Sequence, residues 1–413
     1  MASQSLPGHA RQLTFGVEFE FLVARRPADL VPHSKDTRWT VPSGMLGNSN
    51  KNSANTQAQD FIKSLLANNG VPALSKHRYG LSDIAYVRSE IDSQGVQPPP
   101  EPNRVAVHAF WMVSDDPSIQ MIEGEDIDGY QYEDVEVASR ILQESNFHEV
   151  EKVYSLIQNA IKTQVNSSCG LHYHVGIKHL SLESVKKLVT LLMVVEDTGL
   201  FQRICAQHRS SPANHYCQPV SKLSRAVMRR DSPSSGLVNY SLATHLPQQH
   251  GISRDLLPAL ACIWHCVSVD EIAKQTRTCN DGASAASGFN GRGGFAVRKS
   301  IVELSIEGDL VGTDPTVEFR YKESTGSARE DYHWLQLCLS LARGAEWPRD
   351  RFRAALGVLS TANSLEGLLN GLGVGENEVR WWSEIARRHR DHPAPSKKTE
   401  FLKPENVSSS GVV

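Results

Sequence analysis

A chain of 413 residues with 40% hydrophobic and 22% charged side chains has an ordinary globular composition, long enough for two or three domains. Its formal net charge of −3 gives no electrostatic case for nucleic acid or an acidic membrane surface as partner. Residues 1–12 lack the apolar core of a signal peptide, and no run reaches membrane-spanning length; seven scattered cysteines read as reduced thiols, so a cytoplasmic setting is expected.

After a tail over 1–12, the first expected element is a strand from Phe15 to Val23. Its alternation sends Phe15, Val17, Phe19, Phe21 and Val23 to one face and Glu18 and Glu20 to the other, about 6–7 Å apart. Residues 25–60 read as a polar surface insertion without a core of its own, followed by a short helix over Phe61–Ala67. Residues 79–104, with their Pro98-Pro99-Pro100 run, read as a second loop insertion. Val105–Val113 has strand character and ends in the turn Ser114–Ser118; another strand lies within Tyr132–Leu142. A capping-box pattern at Asn146 and Glu149 opens a helix with Val150, Val153, Ile157 and Ile161 on one stripe.

The strand from Gly170 to Ile177 puts Leu171, Tyr173, Val175 and Ile177 on one face and His172 and His174 on the other. Leu182–Leu200 is a strongly apolar helix, Arg225–Leu246 is irregular, and Leu256–Val269 is a buried helix. Within the last of these, Cys262, His265 and Cys266 read as helix positions rather than metal ligands. The Gly/Ala/Ser stretch Asp281–Gly294 reads as a flexible connection rather than a phosphate cradle. Thr316–Tyr321 is a third strand, with Val317, Phe319 and Tyr321 opposite Glu318 and Arg320. Ser327 and Glu330 cap the next helix, whose Trp334, Leu337, Cys338 and Leu341 face inward. Helices over Arg351–Leu372 and Glu376–Arg390 are expected to pack on a domain spanning 13–345, leaving 393–413 as a disordered tail.

Three strands thus pair an apolar face with two strong functional groups each: Glu18/Glu20, His172/His174 and Glu318/Arg320. Singly, these are a charged surface pair, a half-buried His-x-His and a cross-strand salt bridge. As neighbours they bring together three carboxylates, two imidazoles and a guanidinium, a set that needs cations to hold it. Oxygen-rich ligands without cysteine favour Mg²⁺ or Mn²⁺ over Zn²⁺, and such sites leave positions for substrate phosphates. Arg320, on the face of Glu318, is placed to neutralise a phosphoryl group in transfer.

The segments GVEFE, CGLHYHVG and TVEFR, in this order and spacing, resemble the amidoligase family of the glutamine synthetase and glutamate–cysteine ligase superfamily. Intermediate landmarks agree: Phe110–Ser118 is similar to the family's Trp-containing strand and Asp-x-Ser turn, and Val135–Leu142 to its Val-Glu-Leu-Val-Ser-Pro stretch. Lys322–Thr325 with Trp334 resembles the segment after the EFR motif, and Asn214–Pro219 a weaker landmark. The resemblance implies an α+β fold whose curved antiparallel sheet forms a glutamine synthetase-like funnel with helices on its outer face. It implies Glu18, Glu20, His172 and Glu318 as metal ligands, His174 at the nucleotide phosphates and Arg320 at the transferred phosphoryl group. Glu136 would be a further acidic ligand or an amine-site residue, and the base that takes the amine's proton. Two departures stand out: Arg140 where the family has Pro, and no His near Lys322 or Glu323.

The expected activity is an ATP- and Mg²⁺-dependent (or Mn²⁺-dependent) ligation of a small-molecule or peptide carboxylate to an amine through an acyl phosphate, with Arg320, Glu136 and Glu318 in catalysis. The alternatives are a nucleotide-binding regulatory protein of the same fold, and a zinc hydrolase built on His172, His174 and a glutamate. The sequence names neither substrate nor an oligomeric state.

Overall fold

In the computed structural model of the chain the described residues are 12–27, 36–42, 51–76, 84–96, 106–123, 127, 129–210, 214, 217–228, 240–247, 251–278, 292–304, 310–391 and 401–403. In chain order they form β1 (Thr14–Arg25), α1 (Lys51–Asn68), β2 (Ala73–Ser75), α2 (Ile84–Gln94), β3 (Trp111–Ser114), β4 (Gln131–Ala138), β5 (Leu142–Gln143), α3 (Phe147–Ala160), β6 (Thr163–Gln164) and β7 (Gly170–Gly176). Helices α4 (Leu182–Asp197), α5 (Leu200–Ile204), α6 (Gln207–Ser210), α7 (Val220–Leu223), α8 (Arg225–Met228), α9 (Tyr240–His245), α10 (Leu257–His265) and α11 (Val269–Gln275) follow. The chain continues through β8 (Phe295–Arg298), β9 (Val302–Leu304), β10 (Leu310–Gly312), β11 (Thr316–Glu323), α12 (Ala328–Gly344), α13 (Arg349–Thr361), α14 (Leu365–Gly371) and α15 (Glu376–Asp391).

The main sheet runs β2-β3-β4-β1-β7-β11-β8, with β5 and β6 also on β1. The alternation in β1, β7 and β11 decides which face is covered. Phe19 stacks on Tyr154 of α3 at 4.6 Å, and Tyr321 on Phe201 of α5 at 3.9 Å. Tyr173, Trp334 and Cys338 are fully buried. Ser327 caps α12 by accepting the Glu330 N–H, as its sequence spacing predicts. No described helix is long and apolar enough to cross a membrane.

The fold is α+β, but the sheet is mixed rather than antiparallel throughout, because β2 and β3 pair parallel. A parallel pair needs a crossover, and the segment read as a loop over 79–104 supplies one in α2. Val87 and Ile91 of α2 pack with Leu74 and Phe110 in a small core of their own. The polar stretch before residue 60 likewise conceals the start of α1, which buries Ala54, Ala58, Ile62 and Leu66 at helical spacing. Val105–Val113 is strand only from Trp111, since β2 offers three residues to pair with; Ala106–Ala109 is a 3₁₀ turn. Asn146 caps a turn earlier than expected, accepting the Gln143 N–H at 3.2 Å, which frees Glu149 for other contacts. The stretch Arg351–Leu372 breaks into α13 and α14, the second capped by Ser364. Residues 401–403, placed in the expected disordered tail, are docked. Leu402 N–H donates to Thr163 C=O at 2.9 Å, Arg38 donates to Leu402 C=O, and Phe401 meets Tyr130 edge-on at 5.0 Å. The tail over 1–11 and the loop over 281–291 lie outside the described residues.

Candidate active site

Strand pairing brings the three polar faces together. Glu18 lies opposite His172 and Gly16 opposite His174 across β1–β7, while His174 lies opposite Glu318 across β7–β11. His174 Nε2 stands 3.2 Å from Glu18 Oε1 and 3.7 Å from Glu318 Oε1, and its Nδ1 is 3.2 Å from Thr316 Oγ1. Glu318 is fully buried and ion-paired with both Arg320 and Arg298. Burial opposes its ionisation, but Arg320, His174 and Arg298 hold its pKa down to about 2. Burial also opposes ionisation of Glu18, yet the charge of His174 and hydrogen bonds with His172 and His174 bring it well below the usual range. Burial lowers the His174 pKa, and Glu18 and Glu318 outweigh it to give a raised value.

A second group forms on the neighbouring strands. Glu20 lies opposite Glu136 across β1–β4, and Glu136 opposite Ser114 across β4–β3. Ser114 donates to Glu136 Oε1 at 3.2 Å, and Asp116, in the turn after β3, joins them. Burial and then the charges of Glu18, Glu20 and Asp116 push the Glu136 carboxyl well above its usual range.

Among the described residues two sets of donor atoms therefore exist, Glu18/His174/Glu318 and Glu20/Asp116/Glu136, with the atoms of each within 4.8 Å of one another. His172 stands between them, its Nδ1 3.2 Å from Glu18 Oε2 and its Nε2 3.6 Å from Glu20 Oε1. The family resemblance implied Glu18, Glu20, His172 and Glu318 as one ligand set. In the structure these four are adjacent, with His174 completing the first trio and Asp116 the second. Both sets fit a hard cation: they are dominated by oxygen, and Glu20 Oε1 is buried without a hydrogen-bond partner.

A cavity of about 450 Å³ is lined by Arg277, Arg292 and Lys299 and by Arg298 and Arg320, the two arginine partners of Glu318, with Phe295 and Val297 among its apolar walls. Arg292 Nη1 also approaches Asp116 Oδ2 at 3.6 Å. Sequence reasoning missed Asp116, Arg298 and Arg277. Asp116 stood in the turn Ser114–Ser118, whose Ser118 N–H donates to Asp116 Oδ1 at 2.7 Å; Arg298 ends the alternation Phe295-Ala296-Val297. Both departures from the family pattern point away from the polar face. Arg140 pairs with Glu149, which also accepts from Trp111 Nε1 at 2.7 Å. Lys322 is fully buried against Glu323 and Glu330, beyond a bulge in β11.

A family model described as "Putative amidoligase enzyme" matches residues 11–280. The chain belongs to the amidoligase family, and its activity class is that of a ligase. No curated protein matches it. The matched span carries Glu18, Glu20, Glu136, His172 and His174; β11, with Glu318 and Arg320, lies beyond it and reaches the site through its pairing with β7.

Proposed function

We propose that the chain is a cytoplasmic, ATP- and Mg²⁺-dependent (or Mn²⁺-dependent) carboxylate–amine ligase, acting through an acyl phosphate on the polar face of a glutamine synthetase-like funnel. The observation that carries this reading is the pair of carboxylate-rich donor sets beside a cavity lined by five basic side chains. The free thiols of the six described cysteines accord with a reducing compartment.

Divalent cations held by Glu18, His174 and Glu318 and by Glu20, Asp116 and Glu136 would polarise phosphate oxygens. Arg298 and Arg320, with Arg277 and Arg292, bind the nucleotide phosphates. A carboxylate oxygen of the substrate attacks the γ-phosphorus, the bond to ADP breaks, and Arg320 balances the charge of the phosphoryl group in flight. The amine then attacks the acyl carbon, the bond to phosphate breaks, and Glu136 takes the amine's proton. His172, between the two donor sets, keeps Glu18 and Glu20 oriented. The two histidines do not fall into one donor group, which speaks against a zinc hydrolase.

The test is purified protein with ATP, Mg²⁺ and pools of amino acids, polyamines and peptides. Phosphate release requiring both a carboxylate and an amine is expected, and Glu318→Gln should lower it at least about a hundredfold while the chain stays folded. Full activity in that variant contradicts the site, and nucleotide binding without release from any pool supports the regulatory alternative.

A further inference from the structure

Arg209, in α6, is only 2% exposed. Its Nη2 donates to the carbonyl of Arg320 at 2.9 Å, and its Nε has no partner. Among the described residues no carboxylate forms an ion pair with it. Its position is set by Gly170: a Cβ there would stand 2.6 Å from Arg209 Nη2 and 2.7 Å from His172 Nε2. Gly170 and His172 are two apart on β7 and share a face, so the guanidinium lies on the polar side of the sheet, where only a glycine leaves it room. Beside it, the Gly170 N–H donates to Glu20 Oε2 at 2.6 Å.

A guanidinium has five N–H donors, and burying one without an anion is strongly unfavourable. This arrangement is explained by a ligand that brings the charge. The phosphates already have cations at the other end. The cavity strand β8 is level with His174 through Glu318, whereas Gly170 lies four residues further along β7, about 13 Å. A planar carboxylate matches the guanidinium fork. We propose that Arg209 binds a carboxylate of the acid substrate other than the one that is phosphorylated, entering at the Gly170 and Glu20 end of the site. This inference rests on the ligase reading.

The test follows the arginine Nε signals of the full chain by ¹⁵N NMR, with Arg209 identified in the wild type by its through-space contact to Gly170. Glutarate, glutamate and acetate are the carboxylate probes, and inorganic phosphate and Mg·ADP are the controls. The Arg209 signal should move with at least one carboxylate and not with inorganic phosphate. Arg209→Lys, or Arg209→Gln where the lysine variant does not fold, should weaken that carboxylate about tenfold and leave Mg·ADP affinity unchanged. A signal unmoved by all three carboxylates, or moved by inorganic phosphate alone, overturns the inference. If Arg298 and Arg320 still respond to Mg·ADP, the ligase reading survives that failure; if they too are silent, both fall.

Discussion

Glu136 and Glu318 share one polar face, and burial opposes the ionisation of both, yet their neighbours shift them in opposite directions. Glu318 has two guanidiniums for partners, whereas Glu136 has a serine and three carboxylates. Because the folded-state pKa of Glu136 is raised, its contribution to stability is full below the ordinary carboxylate range and is lost as pH rises through the raised value. For Glu18 and Glu318 the sign reverses: their contribution is present above the ordinary range and is lost as pH falls through the lowered values, about 2 for Glu318. In chelator, Glu136→Gln should therefore gain stability over the wild type as pH rises above the ordinary carboxylate range. Mg²⁺ should narrow that gap by satisfying the Glu20, Asp116 and Glu136 oxygens. Thermal melts of both proteins across pH check this, and parallel profiles in chelator would contradict it. At this scale the sequence singled out Glu18, Glu20, His172, His174, Glu318 and Arg320, because each alternates with large apolar residues on a strand. Asp116 and Arg209 lie in a turn and a four-residue helix, where no period marks a functional side chain.

Among the elements, the strands with strict alternation were legible and those with polar or interrupted patterns were not. In β1 and β7 the period of two is unbroken, so both register and face follow from the residues. In β11 the register shifts between Phe319 and Lys322, which carries Lys322 into contact with Glu330 of α12 instead of towards the site. The first half of helix α1 was hidden because Asn55 and Gln59 are buried along with its apolar stripe, and α2 because it is short and flanked by proline-rich sequence. The C-terminal segment was misread for a related reason: its contacts are with the backbone of Thr163, with Arg38 and with Tyr130, none of which its own composition announces. Removal of residues 392–413 should lower stability by about 2 kcal/mol, the scale of two hydrogen bonds and a partly buried aromatic. Chemical denaturation of the truncated and full chains measures this, and equal midpoints would show that the docked residues contribute nothing.

For the whole molecule, the net charge of −3 conceals a polarised face. Arginines and a lysine line the cavity beside β8, while carboxylates crowd the side formed by β3, β4 and β1. Composition averages over both ends, which is why it gave no sign of a cavity lined by basic side chains. The polarity suits a reaction with a polyanionic donor at one end and an amine acceptor at the other. The account stands most directly on the route taken by one oxygen atom. With the carboxylate and amine found in the turnover screen, an ¹⁸O-labelled carboxylate should transfer its label to the released phosphate, since its oxygen bridges carbon and phosphorus in the acyl phosphate. Amide formation with unlabelled phosphate, or phosphate release that needs no carboxylate, would contradict the proposed chemistry.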